Sequence, residues 1–401
     1  MLFEIILIML LGIVCGCITG LVPGLHVNMI AALLLGLILQ YGFNIEFILL
    51  ATFVVALGIT HTFINFIPSL FLGVPTPDTV VSMLPGHQLV SEGRGYEALQ
   101  LCAIGSLGGV LILGIIYMIA YFFIAEFYEQ FYSHIGKLLL ILVLYLIYKE
   151  EDVNSRFWAT VIVILSGGFG LIVLNSLYIS NPLFLIFTGM FGTAALLVAL
   201  FEKTQLVEQK EEYRNVFRKD FIFGIGVGSF VAMICSIAPG IGNAQAGTIA
   251  MNILRKLQND LMIVVLSSIN TVNFGLSILT LYLIERARNG TIIIFQELSY
   301  TLTFEAVIIL FIVMICVGFI AYDLVFILGK RVIILVEKIP TSFLNISIAF
   351  LLTFVVILVS NMSEIMAYFA AVCLGILCLQ VGVRRVHLMS VLLIPIIIFL
   401  W

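Results

Sequence analysis

Residues 12–35 read GIVCGCITGLVPGLHVNMIAALLL, and residues 228–254 read GSFVAMICSIAPGIGNAQAGTIAMNIL. Each begins with a ladder of small residues four apart: Gly12, Gly16 and Gly20 in the first, Gly228, Ala232 and Ser236 in the second. Each then breaks at a Pro-Gly pair inside apolar sequence. The interval from Gly12 to Gly228 equals the interval from Pro23-Gly24 to Pro239-Gly240, so the two stretches superimpose without a gap. Pro lacks an N–H and Gly tolerates positive φ, so each pair interrupts a helix. Polar residues follow at once, Leu25-His26-Val27-Asn28 and Ile241-Gly242-Asn243-Ala244-Gln245. A helix restarting there presents free N–H groups and the positive end of its dipole to whatever lies in front. The plainer reading of the small-residue ladder is close helix packing, and it is adopted for the ladder itself.

The whole chain has the composition of a bilayer protein. Of 401 residues, 63% are hydrophobic and 10% charged, against roughly 45–50% and 25% in soluble domains. Apolar runs of spanning length recur in both halves, and no strand-like alternation suggests a barrel. The fold expected is an all-α polytopic membrane protein. The seven cysteines lie in apolar stretches and read as packing residues. A net charge of −4 without basic runs gives no support for nucleic-acid binding, and no nucleic-acid partner is expected. Glu4 stands where a signal peptide carries basic residues, so the first segment is expected to stay in the membrane.

The charged stretch from Glu202 to Asp220 holds ten of the forty charged side chains and reads as a solvated loop. Its five basic residues weakly favour the cytoplasmic side. It separates a first membrane repeat, 1–201, from a second, 222–401, with 202–221 as the linker. Two repeats with broken or re-entrant helices in matching positions are the arrangement of secondary transporters, commonly inverted, with the site at the midplane.

Polar residues inside apolar sequence are costly and mark function or helix–helix bonding. Thr62-Phe63-Ile64-Asn65-Phe66, after His61, is echoed by Thr271-Val272-Asn273-Phe274, after Asn270. The substrate-contacting set read from the sequence is therefore Pro23, Gly24, His26, Asn28, His61, Asn65, Pro239, Gly240, Asn243, Gln245, Asn270 and Asn273, with Arg94 as a cation for an anionic ligand. Asp78, His26 and His61 are the candidates for proton coupling, with H⁺ or Na⁺ as coupling ion and no cofactor or metal. Gly73–Leu99, GVPTPDTVVSMLPGHQLVSEGRGYEAL, reads as a non-helical loop or re-entrant passage, and Glu285–Gly290 occupies the matching place in the second half. His134 and His387 read as membrane-interface residues.

The stretches GLVPGLHVNMIAALLL, GVPTPDTVVSMLPGHQLVSEGRGYEAL and, from Gly382, GVRRVHLMSVLLIP resemble the large membrane subunit of tripartite tricarboxylate transporters, the TctA-type permeases, in their shorter prokaryotic branch. The resemblance implies a permease for small carboxylates in the prokaryotic cytoplasmic membrane. It also implies two partners, a small membrane subunit and an extracytoplasmic binding protein; a homodimer is compatible with the sequence. Pro85-Gly86 stands where that family usually has an acidic residue before glycine. Paired Pro-Gly-polar starts also resemble those of polyprenyl-phosphate translocases, whose ligand is a lipid phosphate. An intramembrane enzyme is the remaining alternative, and no His-Glu-x-x-His or Gly-x-Ser-x-Gly motif supports it.

Overall fold

The small-residue ladders bring helices into backbone contact, and the rest of the architecture follows from which helices they join. In the computed structural model, residues 2–22, 25, 27–43, 45–71, 79, 83–131, 134–180, 182–201, 207–210, 218–237, 242–253, 259–338 and 340–401 are described. They form α1 (Leu2–Leu21), α2 (Val27–Tyr41), α3 (Phe47–Ile64), α4 (Phe66–Phe71), α5 (Met83–Ser91), α6 (Gly95–Phe131), α7 (Ile135–Tyr148), α8 (Val153–Leu174), α9 (Pro182–Phe187) and α10 (Ala194–Ala199). A π-helical turn, Thr188–Thr193, joins α9 to α10. α11 (Lys219–Ile237) begins within the last residues of the 202–221 linker, and α12 (Asn243–Ile253), α13 (Asn259–Ile284), α14 (Ile293–Glu297), α15 (Phe304–Lys338), α16 (Thr341–Val359), α17 (Met362–Gln380) and α18 (Ser390–Phe399) follow. Among the described residues there is no strand, and nine helical stretches are long and apolar enough to cross a membrane.

α13 and α3 are central: 94% and 78% of their spanning windows are buried, against 22% for α1. A Cβ added at Gly12 would stand 2.7 Å from the Phe53 carbonyl oxygen, and at Gly16 2.7 Å from that of Leu57, so α1 lies directly on α3. At Gly228 a Cβ would meet Ser268 Oγ at 2.1 Å and the Val265 carbonyl at 2.6 Å, so α11 lies on α13 in the same way. Gly228→Val must push α11 off a backbone carbonyl that cannot rotate aside. It is expected to cost about 3 kcal/mol, the upper end of overpacking, read as a fall in melting temperature in detergent.

The apolar interior divides into two. One large cluster is built from α1–α6 and α11–α15, with Phe63, Phe66, Phe221 and Phe295 fully buried in it. The second, with two satellites, is built from α7–α10 and α16–α18. Its centre is Tyr368, whose hydroxyl lies 2.8 Å from both Thr193 Oγ1 and Thr353 Oγ1. Each core therefore takes helices from both halves of the chain.

Three local readings of the sequence change. Part of 73–99 is helical after all: α5 carries Pro85 in its first turn, where a missing N–H costs no helix bond. Gly93, at φ +77°, ends α5 in a Schellman pattern, with Arg94 N–H donating to the Leu89 carbonyl at 2.8 Å and Gly93 N–H to that of Val90 at 3.0 Å. The linker is not wholly a solvated loop. Gln209 is buried, accepting from Gly95 N–H at 2.8 Å and donating to the Val90 carbonyl at 3.0 Å, which satisfies the first turn of α6 and the last of α5. His387 has a partner that the sequence did not show. It is buried, with Nε2–H donating to Glu150 Oε1 at 2.6 Å, and Arg384 Nε donates to the same oxygen at 2.7 Å. His134 is exposed.

Candidate functional site

Between the two cores lies a cavity of about 200 Å³. The first core supplies most of its wall, and Leu183 and Phe187 of α9 with Met389 and Leu392 close it from the second. α2 and α12 both begin at this wall, through Val27, Asn28, Gly242 and Asn243.

A chain of amides runs from the cavity into the protein. Asn273 Nδ2 donates to Asn243 Oδ1 at 2.7 Å, and Asn243 Nδ2 to Asn270 Oδ1 at 2.8 Å. Asn270 Nδ2 then donates to the Thr62 carbonyl at 3.2 Å and to Asn65 Oδ1 at 3.4 Å. Beside it Thr271 Oγ1 donates to Thr62 Oγ1 at 3.2 Å, and Thr62 Oγ1 to the Ile59 carbonyl at 2.8 Å. Asn65 and Asn270 are buried, and the chain stitches α3 to α12 and α13 across the two halves of the sequence. Buried amides persist when their hydrogen bonds are met, and here each fixes the rotamer of the next.

His61 is held from the other side. Thr19 Oγ1 gives its one proton to the Gly16 carbonyl at 3.2 Å, so it accepts from His61 Nδ1–H at 3.1 Å. Gly58, one turn earlier, has the Phe274 ring where a Cβ would be, 1.9 Å away, which brings α3 against α13 at the cavity.

Asn28 is set by the segment that follows α13. Thr291 Oγ1 donates to Asn28 Oδ1 at 2.8 Å, and a Cβ on Gly290 would stand 2.8 Å from Asn28 Cγ. Arg288, Asn289 and Gly290 thereby reach the cavity wall. The sequence reading treated this segment only as a counterpart of the 73–99 passage. The overlooked signal is a basic residue with Asn-Gly shortly after the spanning helix that carries Asn270 and Asn273.

Of the residues read from the sequence, Asn28, His61, Asn243, Asn270 and Asn273 line one cavity, and Asn65 backs it as the terminal acceptor of the amide chain. Arg94 does not join them. Its guanidinium pairs with Glu97 at 2.7 Å, Glu92 at 3.0 Å and Asp260 at 3.6 Å, at the start of α13. Ten helical residues, ~15 Å of rise, separate Asp260 from Asn270. Pro23, Gly24, His26, Asp78, Pro239 and Gly240, and the side chain of Gln245, lie outside the described residues. Among the described residues no cluster of His, Cys, Asp and Glu could hold a metal ion.

A family model, tripartite tricarboxylate transporter TctA family, matches residues 6–390. The chain belongs to the TctA family. It is a multi-pass membrane protein of a transport system, not an enzyme. It is also similar to an uncharacterized protein, MJ1079, of Methanocaldococcus jannaschii, 33% identical over 407 residues and covering 98% of each chain. No solved structure matches it.

Proposed function

We propose that this TctA-family chain carries a small carboxylate across the membrane by alternating access, with the ligand held in the cavity between the two cores. The observation that carries this is the cavity wall: five asparagines, His61, hydroxyls and one arginine around a volume of about 200 Å³. That is below the ~300–1,000 Å³ of sites for drug-sized ligands, and the lining suits a small polar solute better than a polyprenyl tail. The starts of α2 and α12 add N–H groups and favourable dipoles for an anion.

Access would alternate as the second core, with Leu183, Phe187, Met389 and Leu392, moves against the first. The two halves are proposed to be repeats in inverted orientation. Supporting the repeat, α1 packs on α3 as α11 packs on α13, and the long helices α6 and α15 follow in matching places with 37 and 35 residues; the inverted orientation is inferred by analogy with secondary transporters. H⁺ or Na⁺ coupling remains part of the proposal. His61 is the proton-coupling candidate in the described wall, and His26 and Asp78 stand as further candidates. The tripartite description of the family supports a small membrane subunit and an extracytoplasmic binding protein as partners.

Thermal stabilisation of the purified protein tests the ligand class. At about 100 times its dissociation constant a carboxylate such as succinate or citrate should add roughly 2.7 kcal/mol, and a polyprenyl phosphate should add nothing. A shift with the lipid phosphate alone would make the chain a lipid-carrier translocase.

A further inference from the structure

Resting on that reading, we propose that Asn273 selects ligands bearing a hydroxyl, because the amide chain ends at the cavity in an acceptor. A backbone carbonyl can only accept, so the Thr62 carbonyl fixes which end of the Asn270 amide faces it: Nδ2, at 3.2 Å. Asn270 Oδ1 is then turned to Asn243 and must be met by a donor, Asn243 Nδ2, at 2.8 Å. That leaves Asn243 Oδ1 for Asn273, whose Nδ2 donates to it at 2.7 Å. The order is dictated link by link from a group that cannot be reversed. Its last member is Asn273 Oδ1, an acceptor with no donor among the described residues.

This oxygen is open to the cavity. From Leu261 to Leu281, α13 buries every residue except Asn273. Asn273 lines the cavity, and its Oδ1 is not sealed from it. An amide oxygen accepts hydrogen bonds and cannot donate them, so it disfavours a carboxylate placed against it and favours an O–H. The ligand's carboxylates therefore lie towards the starts of α2 and α12, where backbone N–H groups favour an anion. A hydroxyl on the carbon chain donates to Asn273. The ligand class is thus a small hydroxycarboxylate. A keto group at the same carbon sets two acceptors face to face, and an unsubstituted chain leaves the oxygen to water.

The test titrates the full-length purified protein by calorimetry with malate, succinate and oxaloacetate, three diacids of one length that differ at one carbon. Wild type should bind malate about 3- to 10-fold more tightly than succinate, the range for a neutral hydrogen bond exchanged against water. Oxaloacetate should bind no better than succinate. Asn273→Leu should erase the difference between malate and succinate. A merely structural asparagine would instead weaken both alike and keep their ratio, which would overturn the assignment. Oxaloacetate binding wild type as tightly as malate would show a donor at the end of the chain, and also overturn it. Equal wild-type affinities for malate and succinate would do the same while leaving the carboxylate reading intact, and need no variant. Absence of binding by all three would instead sink the transport reading, and this assignment with it.

Discussion

Asn270→Leu is expected to abolish carboxylate transport into proteoliposomes while lowering the melting temperature only moderately. Asn270 is 1% exposed and stands in the middle of the amide chain. It accepts from Asn243 and donates to the Thr62 carbonyl and Asn65. Leucine has nearly the same volume, so packing changes little, but three buried polar groups lose a partner. Counted at 1–3 kcal/mol each, the sum would approach the stability of a whole domain. Cross-helix polar bonds in bilayers average nearer 0.6 kcal/mol, because the unfolded helices also find partners. The second figure governs here, and the stability loss should be about 2 kcal/mol. The functional loss is larger because Asn243 and Asn273 are oriented through Asn270, and both line the cavity. Transport at wild-type rate in this variant would remove the amide chain from the account.

Glu150→Gln is expected to cost as much stability as Gly228→Val, by removing a charge rather than by obstructing a backbone approach. Glu150 is 7% exposed, lies between α7 and α8, and accepts from both Arg384 and His387. Arg384 Nη2 also donates to the Leu146 carbonyl at 2.9 Å. Burial alone would raise the Glu150 carboxyl, but the hydrogen bonds from Arg384 and His387 and their charges outweigh it and hold it below the ordinary carboxylate value. Removing one partner of a buried pair costs about 3–5 kcal/mol. Arg384 is 38% exposed and retains solvent, which places the expected loss at about 3 kcal/mol. The sign with pH follows. A carboxyl lowered in the folded state contributes its stability above its unfolded value, near 4, and loses it as pH falls through the lower folded value. Wild type should therefore lose stability on the acid side, and Glu150→Gln should be flatter there and lower at neutral pH. The segment held by this contact continues into Met389 and Leu392 of the cavity wall, so carboxylate affinity should fall as well. Equal melting temperatures at pH 7 would contradict this role.

What could be read from the sequence was whatever carries a cost in a bilayer. Asn28, Asn243, Asn270 and Asn273 stood out because uncompensated amides do not persist in apolar helices, and those four share a cavity. The small-residue ladders were legible for the same kind of reason, since a Cβ at Gly12 or Gly228 would strike a carbonyl. Arg94 stands apart from that cavity, and its charge was visible in the sequence where its ion pairing was not: Asp260 reaches it only through folding. Glu150 and His387 are 237 residues apart, and no local pattern announces their contact. The interleaving of the halves into two cores was hidden likewise, because apolar helices α7–α10 look no different in sequence from those that pack elsewhere.

The most direct measurement is an electron cryo-microscopy map of the purified chain in a lipid nanodisc with saturating succinate. Ligand density is expected in the cavity between the two cores, bounded by the starts of α2 and α12 and touching Asn243 and Asn273. Measured binding with that cavity empty, and density instead at the lipid-facing surface, would contradict it.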